Sequence, residues 1–546
     1  MARPGAERTR LVRQFTRHAS AHGWRDAIRH ARRQGGAAPV VTDAYADWCA
    51  AHTPDAAALA AMREASARLA FQPLVTIVTP VYNTAPAWLE ACADSVIAQA
   101  YPRWQWSIGN DGSTSRSTLD ALARIAARDP RIIVSDAAQN GGIAAATNLA
   151  LTKAEGDYVA LMDSDDALLP HALYRIVEHL NRPGDRADVL YSDEDKLDLD
   201  GRRCEAYFKP DWSPDLFLSN MYVCHLLVAR RALVEAVGGF RTAFDFSQDY
   251  DLMLRLSERA NRVDHVADIL YHWRKVPQSG ATMGDAKPAA HIAGRAAIAD
   301  ALRRRGVEGE VVDAGPAGFY RVCYRLPSSL RVSIVGAPAG PAATVPAVRA
   351  GITVERVATV AEATGDVLVF IGAEVAPATP DWLEPLLEVA TQPGVGVVAP
   401  RLLDTRGLVR EVGLTLGGAT LASRHLAGVP PSHGGYFGSG LAIRNVSAVG
   451  GGCLVTPRQV WQAAGGWDDG LIGEDSRALD YCLRVRNRGH RVLVTPWSSM
   501  TAPAASPAVG VSAADDARLR ARWGATLAAD PYTNPHLAWP GLSAMA

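Results

Sequence analysis

The stretch Tyr158–Pro170, YVALMDSDDALLP, constrains the fold of this chain more than any other. Its first five residues are apolar and predict a buried β-strand, which stops at the acids Asp163, Asp165 and Asp166. In open α/β sheets, ligands bind beyond the carboxyl ends of the strands. Carboxylates at that edge are hard oxygen ligands suited to Mg²⁺ or Mn²⁺. The alternative interpretation is an acidic turn that caps the helix beginning near Pro170.

The length and charge of the chain limit its class. With 546 residues the chain is too long for one ordinary core, so we expect at least two domains. Hydrophobic residues make up 48% of the sequence, which is typical of a globular protein, and the net charge of −1 argues against nucleic acid as a partner. The 7 cysteines form no CxxC pair, so the sequence predicts neither a zinc site nor a disulfide framework.

The amino-terminal segment is strongly basic. Residues 1–36 hold nine arginines against only Glu7 and Asp26. Such a segment could lie on an anionic membrane surface, or it could be a solvated tail. No apolar run approaches the ~18 residues of a spanning helix, and no signal-peptide core follows the arginines. We therefore expect a cytoplasmic protein, with peripheral contact at the inner face of the plasma membrane as one reading of the basic segment.

Several predicted strands deliver polar residues to the same sheet edge. Leu74–Thr84 predicts a first strand, broken by Pro80, and Trp104–Asn110 predicts a second, with a helix between them. This alternation favours a parallel sheet. The glycines after Asn140 precede a predicted helix, so their backbone amides could approach a phosphate, or they could form an ordinary turn. The convergence of these strand ends favours a nucleotide-binding site.

Two further segments carry candidate chemistry. The predicted helix that opens with Gln248–Asp251 presents Asp249 as either a helix cap or a general base. The strand Ile269–Lys275 carries His272.

These motifs, in this order, resemble family 2 glycosyltransferases of the GT-A fold, a Rossmann-like α/β fold with a mostly parallel sheet flanked by helices. The resemblance covers roughly residues 72–285. The motifs that carry it are TPVYNT at Thr79–Thr84, NDGST at Asn110–Thr114, NGGIAAATN at Asn140–Asn148, MDSDD at Met162–Asp166 and QDYDL at Gln248–Leu252.

The resemblance implies a role for each candidate residue. Asp249 matches the catalytic base, and Asp165 matches the direct ligand of a divalent metal, Mn²⁺ or Mg²⁺. His272 falls where some GT-A enzymes supply a further metal ligand, a core or surface histidine being the alternative. The implied donor-binding residues are Thr79, Pro80 and Tyr82 at the nucleobase and ribose, Asp111 at the base or ribose, Asn140 in the glycine loop, and Asp163 near the ribose.

The second half of the sequence partly repeats the first. Strands and helices are again predicted from about Arg331, which resembles a second, degenerate glycosyltransferase-like module. Gly372-Ala373-Glu374 stands where the first module has its acidic motif. When Asp480 is laid over Asp251, the position of the base falls on Ala478, so we expect a catalytically silent module.

The predicted organisation has five parts. They are a basic and helical extension (1–70), a catalytic domain (71–285), a linker (286–330), the degenerate domain (331–500) and a tail (501–546). By resemblance, the chain is an inverting glycosyltransferase that moves a hexosyl or deoxyhexosyl group from a nucleotide-diphosphate sugar to a glycan or lipid-linked acceptor in bacterial surface glycan assembly. The alternatives are a sugar-nucleotide or glycan-binding scaffold without turnover and a nucleotidyltransferase, although TPVYNT is not a triphosphate-binding loop.

Overall fold

The computed structural model describes residues 44–276, 288–336, 348–417, 420–539 and 542. The basic segment 1–36 lies outside the described residues. The chain divides into two compact units. The described part of the smaller unit contains helix α1 (Ala44–His52), in which Trp48 is buried and stacks on His52 with ring centroids 4.3 Å apart. The larger unit holds residues 54–539 and contains both predicted modules.

The first module is built on a nine-stranded sheet. Its strands are β1 (Val75–Val81), β2 (Trp104–Asn110), β3 (Ile132–Asp136), β4 (Tyr158–Leu161), β5 (Ala167–Leu168), β6 (Val189–Leu197), β7 (Arg203–Tyr207), β8 (Leu227–Arg230) and β9 (Val263–Arg274). Its helices are α2 (Ala56–Ser66), α3 (Pro86–Ile97), α4 (Arg116–Ala126), α5 (Ile143–Leu151), α6 (Ala172–Leu180), α7 (Pro214–Phe217), α8 (Arg231–Ala236) and α9 (Gln248–Ser257), with a 3₁₀ turn at Thr242–Phe244.

The strand order of this sheet is β3-β2-β1-β4-β8-β6-β9-β5, with β7 paired to β6. Strands β3, β2, β1 and β4 run parallel, and β8 lies antiparallel between β4 and β6. Every residue of β2 is buried, as expected of a parallel strand covered on both faces. Because β1, β2 and β4 are parallel, their carboxyl ends meet at one edge of the sheet, where the candidate residues follow them.

Residues 286–330, predicted as a linker, are packed against the first module. They contain α10 (Pro288–Arg304) and a hairpin of β10 (Gly309–Asp313) and β11 (Tyr320–Tyr324). Ile298 and Tyr320 from this segment belong to the same hydrophobic cluster as Tyr250 on α9. The guanidinium of Arg241 bridges Asp251 on α9 and Asp300 on α10. These residues therefore extend the core of the first module.

The second module holds the remaining elements. Its strands are β12 (Leu330–Val335), β13 (Ile352–Val357), β14 (Val367–Ile371), β15 (Ala376–Pro377), β16 (Val395–Leu403), β17 (Val409–Glu411), β18 (Leu414–Leu416), β19 (Ala422–Arg424), β20 (Arg444–Asn445), β21 (Cys453–Pro457) and β22 (Arg491–Thr501). Its helices are α11 (Glu384–Ala390), α12 (Arg458–Ala464), α13 (Glu474–Arg486) and α14 (Ala513–Leu527), with 3₁₀ turns at Val360–Glu362, Tyr436–Gly438 and Pro535–Ala538.

The second sheet repeats the topology of the first. Its order is β13-β12-β14-β21-β16-β22-β15, with β17 paired to β16. Strands β13, β12 and β14 are parallel, β21 is antiparallel to both β14 and β16, and β16 is parallel to β22. Each of these pairings has a counterpart among β2, β1, β4, β8, β6 and β9. The prediction of an α/β chain with two tandem modules is confirmed.

The helices of the two modules correspond as well. In α9, Asp251 binds Arg255, whose guanidinium donates to the carbonyls of Val237 and Gly239. In α13, Asp480 binds Arg484, whose guanidinium donates to the carbonyls of Ala464 and Gly466. The two ion pairs occupy equivalent positions in α9 and α13, which agrees with the sequence alignment of Asp480 with Asp251. No helix in the described part of the chain has both the length and the apolar character that crossing a membrane requires.

Candidate active site at the carboxyl edge of the first sheet

The acids after β4 are held in place by strand β9. The Asp166 carboxylate is buried; one oxygen accepts a hydrogen bond from the Tyr271 hydroxyl at 2.5 Å and the other from the backbone N–H of Arg274 at 2.7 Å. Burial and the neighbouring charges of Asp165 and Asp163 raise the pKa of Asp166 well above its usual range. Burial and the charge of Asp163 likewise raise the pKa of Asp165 to about 6. Ionising these neighbouring carboxyl groups together is therefore costly in this buried site.

One group in the described part of the chain could hold a metal ion at this edge. Ligand atoms of Asp163, Asp166 and His225 all lie within 4.8 Å of one another. The His225 ring stacks on Tyr271 with centroids 4.5 Å apart, which fixes its orientation. Two carboxylates and an imidazole fit a divalent cation, which would also offset the crowded negative charge of the acids.

His225 was missing from the residues predicted by sequence. It lies two positions before β8, and β8 runs antiparallel to β4 with Leu227 opposite Leu161. His225, just before β8, therefore reaches the same edge of the sheet as the acids that follow β4. Only the strand pairing reveals this proximity, although a histidine beside a predicted strand, VCHLLVAR, was a visible signal.

The predicted metal ligands Asp165 and His272 are outside this group. Asp165 lies between its members in sequence, and its main-chain carbonyl accepts a hydrogen bond from the Arg274 side chain at 2.8 Å. The Nδ1 atom of His272 is hydrogen-bonded to the buried Asp195 instead. The metal roles of these two residues remain predictions from sequence.

Asp249 lies at the first turn of α9 and faces the same cluster. Burial raises the pKa of its carboxyl, the charge of His225 opposes that rise, and the charge of Asp163 adds to it. The structure thus brings Asp249 within electrostatic reach of two members of the candidate metal group. A carboxylate with a raised pKa beside such a group is suited to accept a proton from a hydroxyl.

The loops after β1 and β2 are tied together by Asn83. Its side-chain oxygen accepts from the backbone N–H groups of Thr114 and Ser115 at 2.9 and 2.8 Å. Tyr82 is 50% exposed at the rim of the site, and Pro80 is partly exposed. Thr79, by contrast, is fully buried, and its hydroxyl accepts from the indole N–H of Trp106 at 2.9 Å. Thr79 therefore supports the loop from inside the sheet.

Asp111 is bound to the glycine loop. Its two carboxylate oxygens accept from the backbone N–H groups of Gly141 and Gly142 at 2.8 and 2.9 Å. Gly142 has a φ of 92°, and a Cβ there would lie 2.2 Å from the Asp245 carboxylate, so the position requires glycine. Asn140, just before these glycines, is exposed. In this structure Asp111 thus orients the entry to α5, and its donor-binding role remains a prediction.

A buried lysine, also absent from the residues predicted by sequence, supports the segment that carries His225. The Lys209 ammonium donates to the carbonyl of Ser192 at 2.7 Å, the carbonyl of Val223 at 2.6 Å, the carbonyl of His225 and the carboxylate of Glu194. The same Glu194 accepts from the backbone N–H of His225 at 2.8 Å. These bonds fix the backbone on both sides of the imidazole.

Part of the chain matches the model of a known protein family. Residues 76–238 match the model for glycosyl transferase family 2. The chain is 33% identical over 531 residues to the uncharacterized protein y4gI of Sinorhizobium fredii, covering 86% of this chain and 58% of that protein. It is 32% identical over 547 residues to the O-antigen biosynthesis protein RfbC of Myxococcus xanthus, covering 90% and 42%. The chain thus spans about half the length of these relatives.

Other similar proteins match over a shorter part of the chain. A chondroitin synthase of Pasteurella multocida is 31% identical over 201 residues, covering 37% of this chain and 20% of that protein. A crystal structure of S. aureus TarS 1-349 in complex with UDP-GlcNAc is 22% identical, covers 42% of this chain and 66% of that chain, and superposes with a TM-score of 0.34. The matched segment, residues 76–238, includes Asp111, Asp163 and His225, so this part of the chain is similar to glycosyl transferase family 2.

Proposed function

We propose that the first module transfers a sugar from a nucleotide-diphosphate sugar to a glycan acceptor, with inversion at the anomeric carbon. The observation that carries this proposal is the position of Asp249, whose pKa is raised by burial, beside the group formed by Asp163, Asp166 and His225. A carboxylate there can accept the proton of an acceptor hydroxyl as that hydroxyl attacks. With one base opposite the leaving group, a single displacement inverts the configuration.

Asp163, Asp166 and His225 would hold the divalent cation, Mn²⁺ or Mg²⁺. When bound, it neutralises the charge that develops on the leaving nucleoside diphosphate. Asp166 is oriented for this role by Tyr271 and the backbone of Arg274. Tyr82, exposed at the rim, is available to the nucleobase.

The names of the relatives support a polysaccharide acceptor. One relative is an O-antigen biosynthesis protein and another is a chondroitin synthase. Both names describe assembly of long glycans. We therefore propose a growing polysaccharide or a lipid-linked glycan as the acceptor, in a cytoplasmic setting.

The second module lacks the side chains that correspond to Asp163, Asp166, His225 and Asp249. The registers place Leu161 opposite Leu227 in the first sheet and Phe370 opposite Leu454 in the second. Counting from these pairs gives the equivalents of Asp163, Asp166 and His225, and the correspondence of Asp480 with Asp251 gives the equivalent of Asp249. Asp163, Asp166, His225 and Asp249 correspond to Gly372, Val375, Gly452 and Ala478.

A second set of contacts supports this alignment. The Arg231 side chain donates to the carbonyl of Gly156 at 2.8 Å, and its equivalent Arg458 donates to the carbonyl of Gly365 at 2.6 Å. Gly156 and Gly365 each stand five residues before the paired Leu161 and Phe370. We therefore propose that the second module does not catalyse transfer.

Asp475 is the remaining acid near the lost site. Helix α13 begins at Glu474, whereas the position equivalent to Gln248 is Arg477, so α13 is longer than α9 at its amino end. Asp475 sits in this added turn, where Arg424 and the backbone N–H of Gly451 bind its carboxylate. A carboxylate engaged by a guanidinium and a backbone amide is not free to bind an acceptor hydroxyl.

The test compares two Asp→Asn variants. Asp249→Asn should lower the single-turnover rate of sugar transfer by about 10²–10⁴-fold while leaving donor binding intact. Asp475→Asn is the matched control in the second module and should leave the rate unchanged. Equal rates for Asp249→Asn and the wild type would remove the assignment of the base.

Donor binding tests the metal site, and donor binding together with turnover separates an enzyme from a scaffold. A panel of nucleotide-diphosphate sugars, tested by thermal shift with Mn²⁺ or with chelator, should show a metal-dependent stabilisation that His225→Ala abolishes. His272→Ala is the control, because its Nδ1 is bound to Asp195. If His272→Ala abolishes the effect and His225→Ala does not, the metal site is the one predicted from sequence. Donor binding without turnover of any acceptor would favour the scaffold.

A further inference from the structure

A cavity separate from the candidate active site lies where the two modules meet. Its volume is about 270 Å³. The end of β7 in the first module, strands β19 and β20 of the second module, and the segment leading into the 3₁₀ turn at Pro535–Ala538 line it. None of the residues of the acidic site described above lines it, so it is a separate site.

The charge lining this cavity is positive. Arg424 and Arg444 line it, and no aspartate or glutamate is among its lining residues in the described part of the chain. Arg424 is neutralised by Glu411 and Asp475. Arg444 makes no ion pair among the described residues; its guanidinium donates to the carbonyl of Val412 at 2.7 Å, and its Nε has no hydrogen-bond partner.

The isolation of Arg444 is unusual for a buried charge. Its side chain is only 8% exposed. The charge of Asp530 acts on Arg444, but the two side chains form no ion pair among the described residues, so the guanidinium loses hydration without gaining a direct carboxylate partner. Burial lowers the pKa of Arg444 to about 10, and burial together with the charge of Arg444 lowers the pKa of His425 well below its usual range. An anion beside Arg444 would offset the lost hydration of its charge.

Aromatic side chains also line the cavity. The rings of Tyr207 and Phe437 stack with centroids 3.7 Å apart, and Tyr436 meets Phe437 edge-on at 4.8 Å. Phe437 is 42% exposed, so part of its ring is open to a ligand. The C–H faces of sugar rings pack on such aromatic surfaces. The volume is near the lower limit of small-molecule sites and suits a single sugar residue.

We propose that this cavity binds an anionic sugar, with its carboxylate or phosphate on Arg444 and its ring against Phe437. The two modules together form the site, because Tyr207 comes from the first and Arg444 from the second. This inference does not depend on the proposed transfer reaction. It gives the second module a binding role.

The test measures binding of three sugars to the full chain by calorimetry or ligand-observed NMR. D-glucuronate carries a carboxylate, D-glucose 6-phosphate a phosphate, and D-glucose neither. At least one anion should bind with a Kd of about 1 mM or below, and D-glucose at least about tenfold more weakly. Preference for one anion identifies its source as an acidic sugar or a sugar phosphate. Equal binding of all three, or no binding of either anion, overturns the proposal.

Variants locate the binding. Arg444→Met should weaken anion binding by about tenfold or more. The control is Arg401→Met, because Arg401 is a partly buried arginine outside the cavity that donates to Ser499 at 3.1 Å. If Arg444→Met does not fold, Phe437→Ala provides the test, because the Phe437 side chain is 42% exposed. This variant should also weaken binding of the anion. Wild-type affinity in a folded Arg444→Met or in Phe437→Ala overturns the assignment.

Discussion

At the residue scale, the charge that supports the candidate site most directly is Lys209. Its side chain is fully buried, and its partner Glu194 is 4% exposed. Removing one member of a buried ion pair leaves the other as an uncompensated charge. Because Glu194 also accepts from the backbone of His225, loss of Lys209 would leave the charge of Glu194 uncompensated and would also disturb the position of the imidazole.

Lys209→Met should therefore lower the free energy of unfolding by about 3–5 kcal/mol, measured by urea denaturation. Lys196→Met is the matched control, because Lys196 pairs with Glu205, which is half exposed. The control should cost no more than about 1 kcal/mol. The double variant Lys209→Met with Glu194→Gln should regain part of the loss. Equal stability of the two single variants would show that the buried Lys209 stabilises the fold no more than Lys196 does.

Some of these residues were predictable from sequence and others were not. Asp163 follows a predicted strand end, so local pattern placed it at the edge of the sheet. Local pattern left Asp249 as either a helix cap or a base, and the family resemblance matched it to the base. His225 and Lys209 depend on β8 running antiparallel between β4 and β6, and no local pattern encodes that pairing. The burial of Thr79 was missed for a similar reason, since its partner Trp106 comes from the neighbouring strand.

At the element scale, Glu355 fastens strand β13 to the rest of the second sheet. One of its carboxylate oxygens accepts from the Ser333 hydroxyl at 2.6 Å and from the backbone N–H and hydroxyl of Thr364 at 2.6 and 2.9 Å. These hydrogen bonds, with Ser333 contributing most, lower the pKa of Glu355 from 4.5 to about 2. A lowered pKa in the folded state means that the ionised carboxylate stabilises the fold.

The stabilisation by Glu355 should depend on pH in a defined direction. It should be fully present above pH 4.5 and fall as the pH drops toward about 2. Glu355→Gln should thus be less stable than the wild type at pH 7, and the gap in urea midpoint should narrow progressively below pH 4.5. The exposed Glu374 provides the control, since Glu374→Gln should show a gap near zero at each pH. A gap for Glu355→Gln that stays constant with pH would contradict the assignment.

The presence of a helix corresponding to α9 in the second module was predictable from sequence, but its length was not. The correspondence of Asp480 with Asp251 was visible in the sequence because an aspartate and an arginine four residues apart recur in both helices. The extra turn at the start of α13 was not predictable from the sequence pattern. Bonds from Asp475 to Arg424 and Gly451 stabilise that turn, and these partners are distant in sequence.

At the scale of the whole molecule, polar contacts join the two modules into one unit. The Asp215 carboxylate in α7 accepts from the Asn445 side chain at 2.9 Å and from Arg491 at 2.7 Å. Near the carboxyl end of the described chain, Asn534 donates to Asp193 at 2.8 Å and to the carbonyl of Lys209 at 2.9 Å. The segment predicted as a tail thus reaches the residues that support His225.

Asp215→Ala should weaken this junction. It leaves the buried Asn445 amide without its acceptor and removes the partner of Arg491, at a cost of about 1–3 kcal/mol. We expect calorimetry to show one cooperative transition in the wild type and a broadened or divided transition in the variant. Asp516→Ala, which breaks an exposed pair with Arg520 on α14, is the control and should keep one transition.

The outcome bears on the cavity as well as on stability, because Asn445 lines the cavity and follows Arg444 in β20. If Asp215 holds the modules in register, Asp215→Ala should also weaken binding of the anionic sugar, although Asp215 does not line the cavity. A divided transition with unchanged sugar binding would mean that β20 keeps its place without the junction. A single transition at the wild-type temperature would mean that the apolar contacts between the modules suffice to couple them.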